Sequence, residues 1–208
     1  MLSIPVRMAG KWLRITWMIS GNAIHPRSKA TNGFDGGRNM RLFIAISFED
    51  DFRDALIDIQ DELMQSGVSG NYTDPENLHM TLAFIGEWDD PEGVLEVMKS
   101  VRLRSFSIEL KGYGPFKDMI FAEIEENENL KAYVKRLRAA LLENEIPFDR
   151  KKFLPHVTLV RKAHRIKGAP LPRFDETESM RVEGISLMKS ERGRHGMIYT
   201  EIGYATAF

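Results

Sequence analysis

Asn77-Leu78-His79-Met80-Thr81-Leu82-Ala83-Phe84-Ile85-Gly86 is answered in the second half of the chain by Phe153-Leu154-Pro155-His156-Val157-Thr158-Leu159-Val160-Arg161. Each stretch holds His-x-Thr followed by Leu inside an apolar, β-prone run. Side chains on a strand alternate faces. His79 and Thr81 therefore share one face and Met80 and Leu82 the other, and His156 and Thr158 oppose Val157 and Leu159 in the same way. Two such strands would offer two imidazoles and two hydroxyls. The remaining elements read as the scaffold that brings them together.

The chain before each motif supports a repeat. Asp50 to Met64 reads as a helix, with Phe52, Leu56, Ile57, Ile59 and Leu63 near helical spacing and acids at its start. Asn127 or Asn129 starts a second helix through Leu142, with Leu130, Val134, Leu137 and Leu141 on one face. Asp50 to His79 and Asn127 to His156 are both gaps of 29 residues. Helix, loop and His-x-Thr strand thus occur twice at matched spacing. This implies two similar α+β lobes with the histidine strands at their seam.

Further strands are expected at Arg41–Phe48, Phe106–Leu110 and Met119–Ile124, with a helix from Pro91 to about Val101 capped by Asp89 or Asp90. Gly112-Tyr113-Gly114-Pro115-Phe116 reads as a glycine-punctuated loop. Residues 164–179 read as a polar surface loop. Gly184–Lys189 and Met197–Ala207 read as a closing hairpin around Arg192-Gly193-Arg194-His195-Gly196.

The folded domain is expected over residues 40–208, as two lobes with swapped-over chain segments. Residues 1–39 read as an N-terminal extension. Trp12, Leu13, Ile15, Trp17 and Met18 could form a short amphipathic element, but residues 22–39 are rich in Gly, Ser, Asn and Pro. Three explanations stay open: sequence upstream of a natural start at Met40, a basic targeting peptide, or a tail of unread role. The first 40 residues hold six basic side chains against Asp35, a local charge of +5 in a chain of net charge −1. No global field draws nucleic acid. There is no cysteine, so disulfides, thiolate nucleophiles and thiolate metal sites are excluded. No apolar run approaches the roughly 20 residues that span a bilayer. A cytoplasmic monomer is expected.

The chemistry that uses two imidazoles is phosphodiester cleavage without a metal. Near neutral pH one histidine can be neutral and the other cationic. The neutral one takes a proton from the nucleophile and the cationic one gives a proton to the leaving oxygen. Thr81 and Thr158, about 7 Å along their strands, can donate hydrogen bonds to non-bridging phosphoryl oxygens. The residues alone leave open which histidine is acid and which is base.

Residues 40–208 resemble the 2H phosphoesterase superfamily, specifically the RNA 2′,3′-cyclic phosphodiesterases, also called 2′-5′ RNA ligases. The two motif stretches carry the resemblance, and the Gly114-Pro115-Phe116 segment and a C-terminal strand with Tyr199 also fit. The resemblance implies a bilobal α+β fold with two pseudo-symmetric lobes around a central cleft. It implies hydrolysis of a terminal 2′,3′-cyclic phosphate to a 2′-phosphate, with RNA 3′ ends or small cyclic nucleotides as substrates. By it His79 is the general acid that protonates the departing 3′-oxygen, and His156 the base that activates water.

Other candidates carry two readings each. Arg161 falls on the far face if its strand stays regular, and a bulge after Leu159 would turn it to the phosphate. Lys152, with Arg150 and Lys151, either holds RNA phosphates or forms a solvated loop. Phe116 and Tyr199 either stack a base or pack in the core. His25, His164 and His195 lack the motif and read as surface residues. No cofactor is expected. Metal ligation has no His-Glu-x-x-His and no third ligand at characteristic spacing. ATP-driven ligation has neither Lys-x-Asp-Gly nor a Walker loop, so any ligase activity would be the reverse of cyclic-ester hydrolysis. A non-catalytic RNA-binding module is the alternative from a different class.

Overall fold

The computed structural model describes residues 3–8, 11–16, 39–165, 171, 178–194 and 196–208. The polar stretch 22–38, His25, His195 and most of the expected 164–179 loop lie outside the described residues. Two units are distinguished, residues 1–36 and residues 37–208. In the first, β1 (Ser3–Met8) and β2 (Lys11–Thr16) pair antiparallel, with Ser3 opposite Thr16.

The second unit holds two antiparallel sheets. One has the order β11-β10-β3-β5, from β3 (Met40–Ser47), β5 (His79–Trp88), β10 (Gly184–Arg192) and β11 (Met197–Thr206). The other has the order β4-β8-β7-β6-β9, from β4 (Ser69–Tyr72), β6 (Phe106–Phe116), β7 (Met119–Ile124), β8 (His156–His164) and β9 (Ser179–Val182). The chain crosses between them. β4, from the first half, pairs with β8 of the second motif, and β10 and β11, from the end of the chain, complete the sheet of the first motif. Neither lobe is a continuous stretch of sequence.

Among the described residues, three helices pack with the sheets: α1 (Asp50–Gln65), α2 (Pro91–Ser100) and α3 (Glu128–Glu143). Their starts follow the local chemistry. The Asp90 carboxylate accepts from the Gly93 N–H at 2.8 Å with Pro91 in the first turn, and Asn127 accepts from the Leu130 N–H at 2.9 Å. α1 buries Phe52, Leu56, Ile59 and Leu63, and α3 buries Leu130, Val134, Leu137 and Leu141. Each such side chain contributes about 1.5–3 kcal/mol of transfer free energy. α1 packs on β8 and α3 packs on β5, so each helix braces a histidine strand of the other half.

Three expectations need correction. Gly112 to Phe116 is strand, not loop: β6 continues to Phe116 and turns at Lys117 into β7. The glycine there marks a β-bulge, where the register skips between Leu110 and Gly112. The polar segment before His79 contains β4 and a short 3₁₀ turn, Pro75–Asn77, that alternation did not reveal. The helices begin at Asp50 and Glu128, so the spacings to the two histidines differ by one residue.

Candidate active site

The two histidine strands share one irregularity. β5 pairs with β3 through Thr81 opposite Ala45 and Ala83 opposite Ile44, leaving Leu82 unmatched. β8 pairs with β7 through Thr158 opposite Phe121 and Val160 opposite Ile120, leaving Leu159 unmatched. In each strand the leucine after the threonine is the extra residue of a bulge. Burial repeats accordingly. The His and Thr positions are half-buried, the residue between them is buried, and two buried residues follow in succession. In β5 alternation then restarts one residue out of phase, and in β8 the exposed Arg161 follows the buried pair. The fifth residue after each histidine, Phe84 or Arg161, lands on the His/Thr face.

A helix side chain holds each bulge. The Gln60 amide, buried on α1, donates to the Leu159 carbonyl at 3.0 Å and to the Thr73 carbonyl at 2.9 Å. Thr73 adds its N–H to the Leu159 carbonyl and its hydroxyl to the Thr158 carbonyl, each at 2.8 Å. On the other side the Arg138 guanidinium, from α3, donates to the Leu82 carbonyl through Nε at 3.1 Å and Nη2 at 2.9 Å.

Both imidazoles are oriented alike. His79 Nδ1 lies 2.7 Å from the Asn77 carbonyl, and His156 Nδ1 lies 2.7 Å from the Leu154 carbonyl. A carbonyl only accepts, so each Nδ1 carries a hydrogen and each Nε2 is the titrating atom. His79 Nε2 is 3.0 Å from the Thr81 hydroxyl, which donates to it when the ring is neutral. The surroundings differ. His79 packs beside Phe43, at a centroid distance of 4.8 Å, and edge-on to Tyr199 at 5.2 Å. His156 has Phe121 at 5.5 Å. Burial holds the pKa of His79 below the ordinary histidine value. The Asn77 carbonyl opposes this, and the nearby positive charges of Arg161 and His156 add to it.

His79, Thr81, His156, Thr158, Arg161 and Tyr199 line one small recess, together with Thr73 and Asn77. After the bulge at Leu159, Arg161 lies at the recess rather than on the far face. Tyr199 is at the site, held by β11, whose Met197 carbonyl accepts from the Asn77 side-chain amide at 2.7 Å. Phe116 and Lys152 are not brought in. Phe116 is exposed at the end of β6, one strand further from β8, with its ring edge-on to Phe121, the ring beside His156. Lys152 is exposed outside the recess, and Lys151 pairs with Asp149 at 2.9 Å. His164 ends β8, exposed. Sequence reading missed Thr73, Phe43, Gln60, Arg138 and Phe84. For Gln60 a signal existed, an amide among the apolar positions of α1. Among the described residues no three His, Cys, Asp or Glu side chains form a metal-binding group, and no helix is long and apolar enough to cross a membrane.

Two antiparallel sheets that each bring a His-x-Thr pair to one recess define the 2H phosphoesterase fold. A family model described as the 2′-5′ RNA ligase superfamily matches residues 49–194, and the chain belongs to that superfamily. A relative from Methanothermobacter thermautotrophicus named RNA 2′,3′-cyclic phosphodiesterase is 31% identical over 180 residues, 78% of this chain and 96% of its own. One of the same name from Thermus thermophilus is 32% identical over 179 residues, 77% of this chain and 87% of its own. The crystal structure of TT0787 of Thermus thermophilus is similar with a TM-score of 0.69 at 29% identity, covering 80% of this chain and 97% of that one. E. coli LigT complexed with 3′-AMP has a TM-score of 0.68 at 24% identity, covering 82% and 99%, a likeness of fold.

Proposed function

We propose that this chain is a metal-independent RNA 2′,3′-cyclic phosphodiesterase, hydrolysing a terminal 2′,3′-cyclic phosphate to a 2′-phosphate. The observation that carries this is one recess lined by two Nε2-presenting imidazoles, two threonine hydroxyls and Arg161. The relatives that bear this name add support at about 30% identity over most of the chain. In this reading RNA 3′ ends or small cyclic nucleotides are the substrates of a cytoplasmic monomer. Residues 40–208 carry the activity and residues 1–39 are an extension.

In this reading the two imidazoles take the roles that the family resemblance implies. The cyclic phosphate sits between the histidines, its non-bridging oxygens accepting from Thr81, Thr158 and Arg161. His156 Nε2 takes a proton from a water that attacks phosphorus opposite the 3′-oxygen. His79 Nε2–H protonates that oxygen as its bond to phosphorus breaks. The carbonyls on each Nδ1 hold the rings in place through both protonation states. Burial disfavours the imidazolium form of His79 in the free protein, and the anionic phosphate beside it favours that form. Substrate binding and loading of the acid are thereby coupled.

Incubation of the protein with a 2′,3′-cyclic-phosphate-terminated dinucleotide in EDTA tests this. A 2′-monophosphate end is expected. No turnover of that substrate or of any 2′,3′-cyclic nucleotide would overturn the reading, and binding without turnover would favour a non-catalytic module. Given the superfamily's name, ligation by the reverse reaction is the second reading. It predicts 2′-5′-joined product without ATP.

A further inference from the structure

On the side of β4 and β11 the catalytic recess continues into a larger space. This larger recess has a volume of about 690 Å³ and shares Thr73, Asn77, Arg161 and Tyr199 with the catalytic one. A volume of that size lies within the range of ligand sites. β4 and β11 are edge strands, so among the described residues no further strand of either sheet closes that side. An opening between two sheet edges suits a chain that runs on out of the site.

The walls carry more positive charge than one phosphate needs. Arg161 stands opposite Asn71 in the register of β8 and β4. Directly opposite residues on antiparallel strands share a face, so the guanidinium lies beside an amide. A second wall is the hairpin loop between β10 and β11, which brings in Arg194. The Gly193 N–H closes that loop on the Gly196 carbonyl at 2.8 Å, and the Asn77 side-chain amide ties β11 to the 3₁₀ turn through the Met197 carbonyl at 2.7 Å. Neither guanidinium makes an ion pair with a described residue. The Asp74 carboxylate also lines this recess, and it accepts from the Glu76 N–H at 3.1 Å as the cap of the 3₁₀ turn. A nucleoside 2′,3′-cyclic phosphate carries a single phosphate group, which the proposed mechanism gives to Arg161. Arg194 is then left for a second one.

We infer that the larger recess takes the RNA chain on the 5′ side of the cyclic end, with Arg194 donating to the phosphodiester that joins the terminal nucleotide to its neighbour. An oligonucleotide is then held through two phosphates and a mononucleotide through one. The added contact is to the backbone, so it carries no direct preference for base sequence. Its contribution weakens as salt rises, because each neutralised phosphate releases bound counterions.

This inference rests on the cyclic phosphodiesterase reading, and its test separates the two. Steady-state kinetics compare a nucleoside 2′,3′-cyclic phosphate, a dinucleotide with the same cyclic end, and that dinucleotide with an uncharged methylphosphonate as its internal linkage. The proteins are the wild type, Arg194→Gln and Arg194→Lys, each checked for folding by thermal denaturation. The wild type should prefer the dinucleotide to the mononucleotide about tenfold in kcat/KM, the scale of one charge-assisted hydrogen bond, mostly through KM. The dinucleotide KM should also rise more steeply with salt, by about 0.7 in log–log slope, the value for one phosphate of a single strand. Arg194→Gln should bring the preference close to one, and Arg194→Lys should keep part of it. The methylphosphonate should be turned over by the wild type like the mononucleotide. Equal kcat/KM of the wild type for the mononucleotide and the dinucleotide would overturn the inference. So would a preference that survives in Arg194→Gln or with the methylphosphonate. A 5′-hydroxyl dinucleotide added as acceptor covers the other source of a second phosphate: joined product that depends on Arg194, without any dinucleotide preference in hydrolysis, would also overturn it. Absence of turnover of every cyclic ester by the wild type would instead remove the phosphodiesterase reading.

Discussion

The first-motif strand, β5, and the second, β8, share a backbone plan and differ in side-chain chemistry. Both carry a histidine tied through Nδ1 to the carbonyl two residues back, a threonine, and a bulge at the following leucine. Both bulges are gripped by a donor from a helix. The grip is Gln60 on one side and Arg138 on the other, the residue turned inward is Arg161 or Phe84, and His79 packs beside Phe43 and Tyr199 where His156 meets Phe121. A repeated frame thus puts two like groups in one recess. In the proposed mechanism the unlike residues around them give the two groups different work, so the pair uses the symmetry and the acid/base distinction uses its loss.

The largest effect on this comparison comes from removing either histidine. His79→Ala and His156→Ala should each lower kcat/KM by about 10²–10⁴-fold, the usual worth of one general acid or base, with the fold retained. Steady-state kinetics on a cyclic dinucleotide checks this. If only one of the two mattered, a single-histidine site would replace the two-fold one. Next comes the unlike pair at the bulges. Arg161→Gln should cost about ten- to hundredfold in kcat/KM, from the ~1.5–3 kcal/mol of charge-assisted hydrogen bonding it removes. That loss should appear equally with a mononucleotide and with a dinucleotide, because Arg161 is assigned to the cyclic phosphate.

A smaller effect concerns the grips. Gln60→Leu leaves the Leu159 carbonyl with the Thr73 N–H alone, and should lower stability by about 1 kcal/mol, a shift of roughly 2–4 °C in Tm for a chain of this size. Activity should fall as well, through the misplaced Arg161. In an Arg161→Gln background the same change should cost stability but little further activity. A double-mutant cycle reads this coupling.

The smallest effect is on stability against pH. The folded-state pKa of His79 is lowered from 6.5. As pH falls below that value the unfolded chain takes up a proton that the folded chain refuses. The stability contributed by neutral His79 is therefore present above 6.5 and lost as pH falls toward the folded-state pKa. Tm of His79→Asn should fall less steeply than that of the wild type over this window.

Much of the site was legible because it repeats. His79, Thr81, His156 and Thr158 stand on strands whose alternation and apolar content the sequence declares, and their helices carry clear caps and apolar faces. Arg161 was half legible, since its face depends on a bulge that period-2 reading can only allow for. Phe116 and Lys152 were drawn toward the site by nearness in sequence, and the order of strands and the course of the loop leave them outside it. Phe84 was hidden because a phenylalanine on an apolar strand looks like core. Gln60 and Arg138 act on backbone carbonyls of the opposite half, and no local pattern encodes a contact across the chain crossing.

The dependence of kcat/KM on pH in the two single-histidine variants bears most directly on the claim that two like strands supply one acid and one base. His79→Ala retains only the base, so its residual activity should rise with pH. His156→Ala retains only the acid, so its activity should fall as pH rises through a value below the ordinary histidine pKa of about 6.5. Slopes of the same sign in both variants, or residual activities that ignore pH, would contradict it.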